Sequence, residues 1–370
     1  MINDDRNIFF GLLRCSLWNE PCPEVPHDYN WGNIVTMARQ QTVLGLVADA
    51  LRKYPEPCGN IPIKELQVFL MRNIQAHSML NRKLAQSVTL LDSVGIPSVL
   101  LKGQGLASNY PDPLLRQCGD IDLYVGPDNY KAACDLLDAS FGKDKHNSES
   151  PKHYHMMTDG VTVELHRIAE DLPGLLQNRR FQTWTTDNLQ GKELRHITVN
   201  GTSVALPPIA YDPVYILNHT WQHFMNGGIG LRQICDWAVY LHTFHGHIDV
   251  ASLKNTLRRL QLLNVWKAFA YIAVTYLGLP ESECPLYTGS MSSKSVRMLD
   301  IIMSEGNFGQ YDETRHKFVR PAGYAAGKLH SFRITASRFI RLLCIFPMKT
   351  LQFFASYFVN GVKNFINGLI

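Results

Sequence analysis

The stretch Leu100-Leu101-Lys102-Gly103, followed by Arg116-Gln117-Cys118-Gly119-Asp120-Ile121-Asp122-Leu123-Tyr124-Val125, decides how this chain is read. Ser98 to Leu101 is a short apolar run of the kind that forms a buried strand, and Lys102-Gly103 closes it. Residues 121–125 read as a second strand. Alternate side chains of a strand share a face, so Asp120 and Asp122 point one way while Ile121, Leu123 and Val125 fill the other as core. Two ionised carboxylates side by side repel and need a compensating positive charge. A divalent cation supplies it, and an all-oxygen donor set suits Mg²⁺. A third carboxylate stands in Val161-Thr162-Val163-Glu164-Leu165-His166, where alternation groups Thr162, Glu164 and His166 against Val163 and Leu165. With that strand beside the first and in register, Glu164 completes a three-carboxylate site able to hold two metals.

Working outward, a helix is expected over residues 104–110, ended by Pro111-Asp112-Pro113, and another over 127–137. Asp159-Gly160 marks a hairpin turn between runs at 153–157 and 161–166. Asn200-Gly201 marks a second between 193–199 and 202–206. Helical spacing returns at 211–224, 231–243 and 253–277, and it also dominates the first ninety residues. The expected class is therefore α+β: a small mixed sheet with helices, embedded between helical regions. The expected segments are 1–94 (helical), 95–206 (α/β core), 207–330 (helical) and 331–370 (a basic, aromatic-rich tail).

At 370 residues, 45% hydrophobic and 18% charged, the chain can bury a sizeable core, which excludes a disordered or collagen-like protein. A net charge of +4 does not describe a protein that coats nucleic acid. Eight scattered cysteines with no C-x-x-C pair fit neither a zinc ribbon nor a disulfide framework. With no secretory signal or spanning segment in view, the expected location is cytoplasmic.

Leu-Leu-Lys-Gly, a short helix ending in Tyr-Pro-Asp-Pro, Arg116, Gly-Asp-Ile-Asp-Leu-Tyr-Val and Val-Glu-Leu-His together resemble the bacterial nucleotidyltransferase family related to the DNA polymerase β superfold. The likeness covers roughly residues 95–170. Leu206-Pro207-Pro208 leading to His219, and Leu231 to Trp237, are also similar to that family's C-terminal helical part. The resemblance implies a polymerase β-like core in which Asp120 and Asp122 bind Mg²⁺ with Glu164 as the third acid. Lys102 and Gly103 take the phosphate-gripping turn, where the wider superfold has Gly-Ser. It further implies an NTP as co-substrate and transfer of its nucleoside monophosphate to an acceptor hydroxyl, with release of pyrophosphate. The acceptor is open between a small molecule, a protein and an RNA end. A non-catalytic module that keeps the fold and binds a nucleotide or partner is the alternative.

Several residues carry two readings. Arg116 reaches a phosphate or neutralises the Asp pair. Lys102 contacts a triphosphate or is solvated. His166 belongs to the cleft or is a satisfied strand-end histidine, and His153 and His155 read as exposed edge residues. Asp236 lines the cleft, or pairs with Arg232 on a helix surface. His219 and His223 have the spacing of a zinc helix, but Thr220 stands where its glutamate belongs. Gly227 to Gly230 reads as a loop between helices. From Phe332 to Ile370 there are five basic residues, no acidic one, and dense aromatics. That composition suits helices packed on the domain or in peripheral contact with an anionic membrane.

Overall fold

The computed structural model describes residues 2–53, 61–190, 192–312 and 324–366. Four helices come first: α1 (Ile2–Trp18), α2 (Gly32–Gln40), α3 (Leu44–Arg52) and α4 (Ile63–Ser93). Strand β1 (Val99–Leu100) then turns through Gly103 into the short α5 (Gln104–Ala107). Next come β2 (Asp120–Tyr124), α6 (Gly126–Phe141), β3 (Ser148–Glu149), β4 (His153–Thr158) and β5 (Val161–His166). Helix α7 (Leu175–Leu189) precedes the hairpin of β6 (Arg195–Val199) and β7 (Thr202–Leu206). The remainder is helical: α8 (Asp212–Asn226), α9 (Leu231–Phe244), α10 (Val250–Arg259), α11 (Leu263–Thr275) and α12 (Ser292–Glu305). It closes with α13 (Tyr324–Leu343) and α14 (Pro347–Ile366). The class is α+β, as the residue patterns require.

The main sheet has the order β1-β2-β5-β4-β3, with β2 and β5 parallel and the other pairs antiparallel. Parallel neighbours need a crossover, and α6 supplies it. The sheet's apolar face, including Ile121, Leu123, Val163 and Leu165, packs with Leu84 of α4 and Leu137 of α6. Both dipeptide turns form as read: Asp159 and Gly160 have φ of 48° and 73°, and Asn200 and Gly201 have 47° and 82°.

A second core joins helices from both ends of the chain. Phe9 of α1, Leu46 of α3, Trp221 of α8, Trp237 of α9 and Trp266 of α11 all lie in it. Trp237 and Trp266 meet edge to face with centroids 4.7 Å apart.

Three local expectations change. The helix expected over 104–110 stops at Ala107 and continues only as turns. The one expected over 253–277 is two helices, because Gln261 adopts φ 58° between α10 and α11. Helix α7 carries no helical signature in the sequence: its first turn exposes Leu175 and Leu176, and its buried set mixes Phe181 and Leu189 with Thr185 and Asn188. The tail follows the packed reading of its composition, for Phe339, Leu342, Phe346 and Phe353 join the larger core. Among the described residues no helix is long and apolar enough to cross a membrane, and the described cysteines are free thiols.

One buried cation fastens the tail. Arg338 pairs with Glu305 of α12, donates from Nε to the Met225 carbonyl at 3.1 Å, and donates from Nη2 to the Phe224 carbonyl. Both charged partners are buried, so removing one strands the other. Arg338→Met is expected to cost about 3–5 kcal/mol in urea unfolding. Arg333→Met, at an exposed position, should change stability by less than about 0.5 kcal/mol. Equal midpoints for the two variants would show that the guanidinium does not clamp the tail.

Candidate functional site

The parallel pairing of β2 and β5 sets Asp120 opposite Thr162, Asp122 opposite Glu164, and Tyr124 opposite His166. One carboxylate oxygen from each of Asp120, Asp122 and Glu164 lies within 4.8 Å of the others. Asp122 is wholly buried, and its two companions are half-buried.

So much negative charge is tolerated because two cationic side chains reach it. Lys102 Nζ lies 3.1 Å from Asp122 Oδ1. His166 Nε2 donates to the same oxygen at 3.0 Å and lies 3.4 Å from Glu164 Oε2. Burial alone would raise the Asp122 carboxyl, but Lys102 and His166 outweigh it and hold it well below the usual range. Asp120, facing the Asp122 charge and itself desolvated, is raised. Burial raises Glu164, yet its hydrogen bond from His166 leaves it lowered. Burial would lower His166, but its hydrogen bonds to Asp122 and Glu164 lift it to about 9. Asp122 Oδ2 is buried with no hydrogen-bond partner.

The histidines of β4 are not exposed edge residues. β3 covers that strand's outer side, and His155 and His153 sit across from Glu164 and His166. His155 Nδ1 is 3.5 Å from Glu164 Oε1, and His153 Nε2 is 3.8 Å from Glu164 Oε2. His153, Glu164 and His166 thus form a second group with donors within 4.8 Å. The pattern could have shown this, since His153, His155 and Met157 alternate on the face that pairs with Glu164.

Gly103 has φ 59° and ψ −120°, a backbone that side chains disfavour, and a Cβ there would stand 3.2 Å from the Asp120 carbonyl. The turn is therefore tight against β2, and it aims Lys102 at the acids. Arg116 does not neutralise the Asp pair. Its Nε and Nη2 grip Asp236 at 2.7 and 2.8 Å, and Tyr110 donates to the same carboxylate at 2.7 Å. Asp236 is accordingly a buried partner of Arg116, not half of a surface pair with Arg232. Arg232 donates from Nη1 to the Gln117 carbonyl, and its Nε is buried with no hydrogen-bond partner.

A cleft of about 370 Å³ opens over this face. Asp120, Glu164, His166 and Lys102 line one side, and His219 and His223 of α8 with Arg232 of α9 line the other. His219 Nε2 is 3.2 Å from Lys102 Nζ, and His219 Nδ1 is 3.0 Å from Glu170 Oε2. Glu170 in turn holds Lys152 Nζ at 2.6 Å. Lys152 and Glu170 escaped the sequence reading, having no periodic or motif signal. Burial and the Lys102 charge lower His219, and burial with His219 nearby takes His223 down to about 3. The two rings stand edge to face at 4.4 Å.

A family model described as uncharacterised nucleotidyltransferase matches residues 27–278. The chain belongs to that family. The match takes in the whole sheet and both walls of the cleft, and it stops before α12. A crystal structure of an antigenic nucleotidyltransferase-like protein from Paracoccidioides brasiliensis is similar over 50% of this chain and 91% of its own, at 17% identity and a TM-score of 0.32. No curated protein matches the chain.

The charge arrangement of this nucleotidyltransferase-family site has a pH signature in metal-free protein. His166 is raised on folding, so its contribution is complete below about 6.5 and lost as pH climbs through about 9. Urea unfolding across that window should show a decline of up to ~3 kcal/mol in the wild type. His166→Gln should flatten it. A wild-type profile that rises over this range would contradict the assignment.

Proposed function

We propose that this protein is a Mg²⁺-dependent nucleotidyltransferase that moves a nucleoside monophosphate from an NTP to an acceptor hydroxyl. The observation that carries this reading is the clustering of Asp120, Asp122 and Glu164 at the cleft, with Asp122 Oδ2 buried and unpartnered. An unsatisfied, fully buried anionic oxygen beside two more carboxylates is a donor set suited to a hard divalent cation. Asp120, Asp122 and Glu164 would hold one or two Mg²⁺ ions. Bound there, the metal would neutralise charge on the transferring phosphoryl group and orient the attacking hydroxyl.

The chain's own residues account for the rest. Lys102, on its glycine turn, would bind triphosphate oxygens, and Arg232 would offer a second cation from the far wall. The Arg116–Asp236 pair fixes the approach to β2. In the reaction a bond forms between the acceptor oxygen and the α-phosphorus, the bond from that phosphorus to the β-phosphate oxygen breaks, and pyrophosphate leaves. The family membership and the polymerase β-like motif order support this reaction class. They also favour a core of that superfold.

A second reading has its own observation. Lys102 and His166 already balance Asp122 and Glu164, so the site can stand as a metal-free nucleotide- or partner-binding module. The two readings separate in one experiment. Purified protein, each α-labelled NTP, Mg²⁺ and a cell extract as acceptor pool should give labelled product on a small molecule, RNA or protein. Asp122→Ala should reduce labelling at least about 10²–10³-fold. Undiminished labelling would sink the metal assignment. A nucleotide-induced rise in melting temperature that needs no Mg²⁺, with no labelling, would favour the binding module.

A further inference from the structure

We propose that His219, oriented by Glu170, is the base that takes the acceptor hydroxyl's proton, an assignment that rests on the nucleotidyl-transfer reading. Four features point to it. The Nδ1 of His219 is tied to Glu170 Oε2 at 3.0 Å, and Glu170 is itself anchored by Lys152 at 2.6 Å. A carboxylate on Nδ1 keeps the proton there and leaves the lone pair on Nε2. That nitrogen faces Lys102 Nζ at 3.2 Å, and the same ammonium lies 3.1 Å from Asp122 Oδ1. Nε2 is therefore one ammonium away from the carboxylates, on the opposite side of a cleft that both line.

Two of the carboxylates at this site are committed elsewhere. Glu164 accepts from His166 and is flanked by His153 and His155, and Asp122 carries Lys102 and His166. An ammonium drawn onto a triphosphate oxygen uncovers the Nε2 lone pair toward the acceptor. The hydroxyl proton then passes to Nε2, the oxygen bonds to the α-phosphorus, and pyrophosphate departs. His219 ends protonated on both nitrogens, with Glu170 stabilising the imidazolium as the carboxylate of a Glu–His dyad does.

The test uses the full chain in the labelling assay, with nucleotide binding followed in parallel by thermal shift. His219→Ala and His219→Asn should lower transfer about 10²–10⁴-fold. Both should keep the wild-type nucleotide shift, and added imidazole should restore part of the lost rate in His219→Ala. Glu170→Gln should fall less and gain nothing from imidazole. Full activity in both His219 variants overturns the assignment while the parent reading stands. Loss of the nucleotide shift together with transfer overturns it too, because His219 would then be a binding or structural residue. A wild type that labels nothing removes the parent reading and this one with it.

A separate observation concerns the tail. Met348, Leu351 and Phe358 of α14 follow one helical stripe, and with Ile340 of α13 each is more than half exposed. The opposite faces of both helices supply Phe339, Leu342 and Phe353 to the core. From Thr314 to Ile370 the chain has nine Lys and Arg and no Asp or Glu, against a total of +4, so the remainder is net acidic. Arg338 and Arg341 are engaged with Glu305 and Asp312, and Arg333 is exposed. We infer that this face lies on an anionic lipid surface, its apolar stripe in the interface and its basic residues at the headgroups.

Vesicles of phosphatidylcholine alone, and with added phosphatidylserine, provide the probe. Full-length protein should sediment only with the anionic vesicles and less so as salt is raised. Leu351→Glu/Phe358→Glu should abolish sedimentation without altering the melting temperature. No sedimentation of the wild type, or equal sedimentation of the variant, overturns the inference. So does a concentration-dependent dimer that the variant dissociates, since the stripe would then be covered by a second copy.

Discussion

A fully buried carboxylate, that of Asp122, sets the terms for the sheet around it. An ionised group removed from water costs several kcal/mol unless opposite charge and hydrogen bonds reach it. Here they come from two directions. The β1 turn delivers Lys102 because Gly103 can hold φ 59° against the Asp120 carbonyl. β5 delivers His166 two residues beyond Glu164, on the same face. A slip of one residue between β2 and β5 would set an apolar side chain beside Asp122 and turn Glu164 and His166 into the core of α4 and α6. The register, the glycine turn and the charge balance are thus a single constraint.

Periodicity exposed much of this, and its limits are physical. Alternation alone placed Asp120 and Asp122 opposite Ile121 and Leu123, and the Asp-Gly and Asn-Gly turns fixed the hairpins, because these signals are local. The parallel pairing of β2 with β5 could only be posed as a condition, since sequence does not state which strands are neighbours. Arg116 and Asp236 are 120 positions apart, and Lys152, Glu170 and His219 come from three separate segments. No local pattern links such partners. Gln261 broke a helix that spacing made continuous, by adopting a left-handed conformation that its residue type does not announce. The histidines of β4 read as exposed in the sequence because β3, only two residues long, has no recognisable strand signature yet covers that edge.

The cleft's cations are largely matched to carboxylates already. Lys102 sits on Asp122, Arg116 on Asp236, and Lys152 on Glu170 and Asp171. These pairs differ in how readily they can part. Arg116 and Asp236 form a bidentate pair, both buried and further tied by Tyr110, so separating them would strand two charges. Lys102 is held by one oxygen and one ring nitrogen at the cleft wall, on a flexible stem. It is the cation that can change partners at least cost.

That difference couples the two kinds of ligand the site would accept. A cation on the acids would compete with Lys102 for Asp122 and free the ammonium, while an anion on Lys102 would free Asp122. Each ligand thereby removes an interaction that opposes the other, and linkage makes the benefit equal in both directions. The same exchange would bare His219 Nε2, which faces the ammonium at 3.2 Å. On the proposed reading, metal, triphosphate and base would therefore come into position through one side chain, because the charge that Lys102 now balances is the charge both ligands would share.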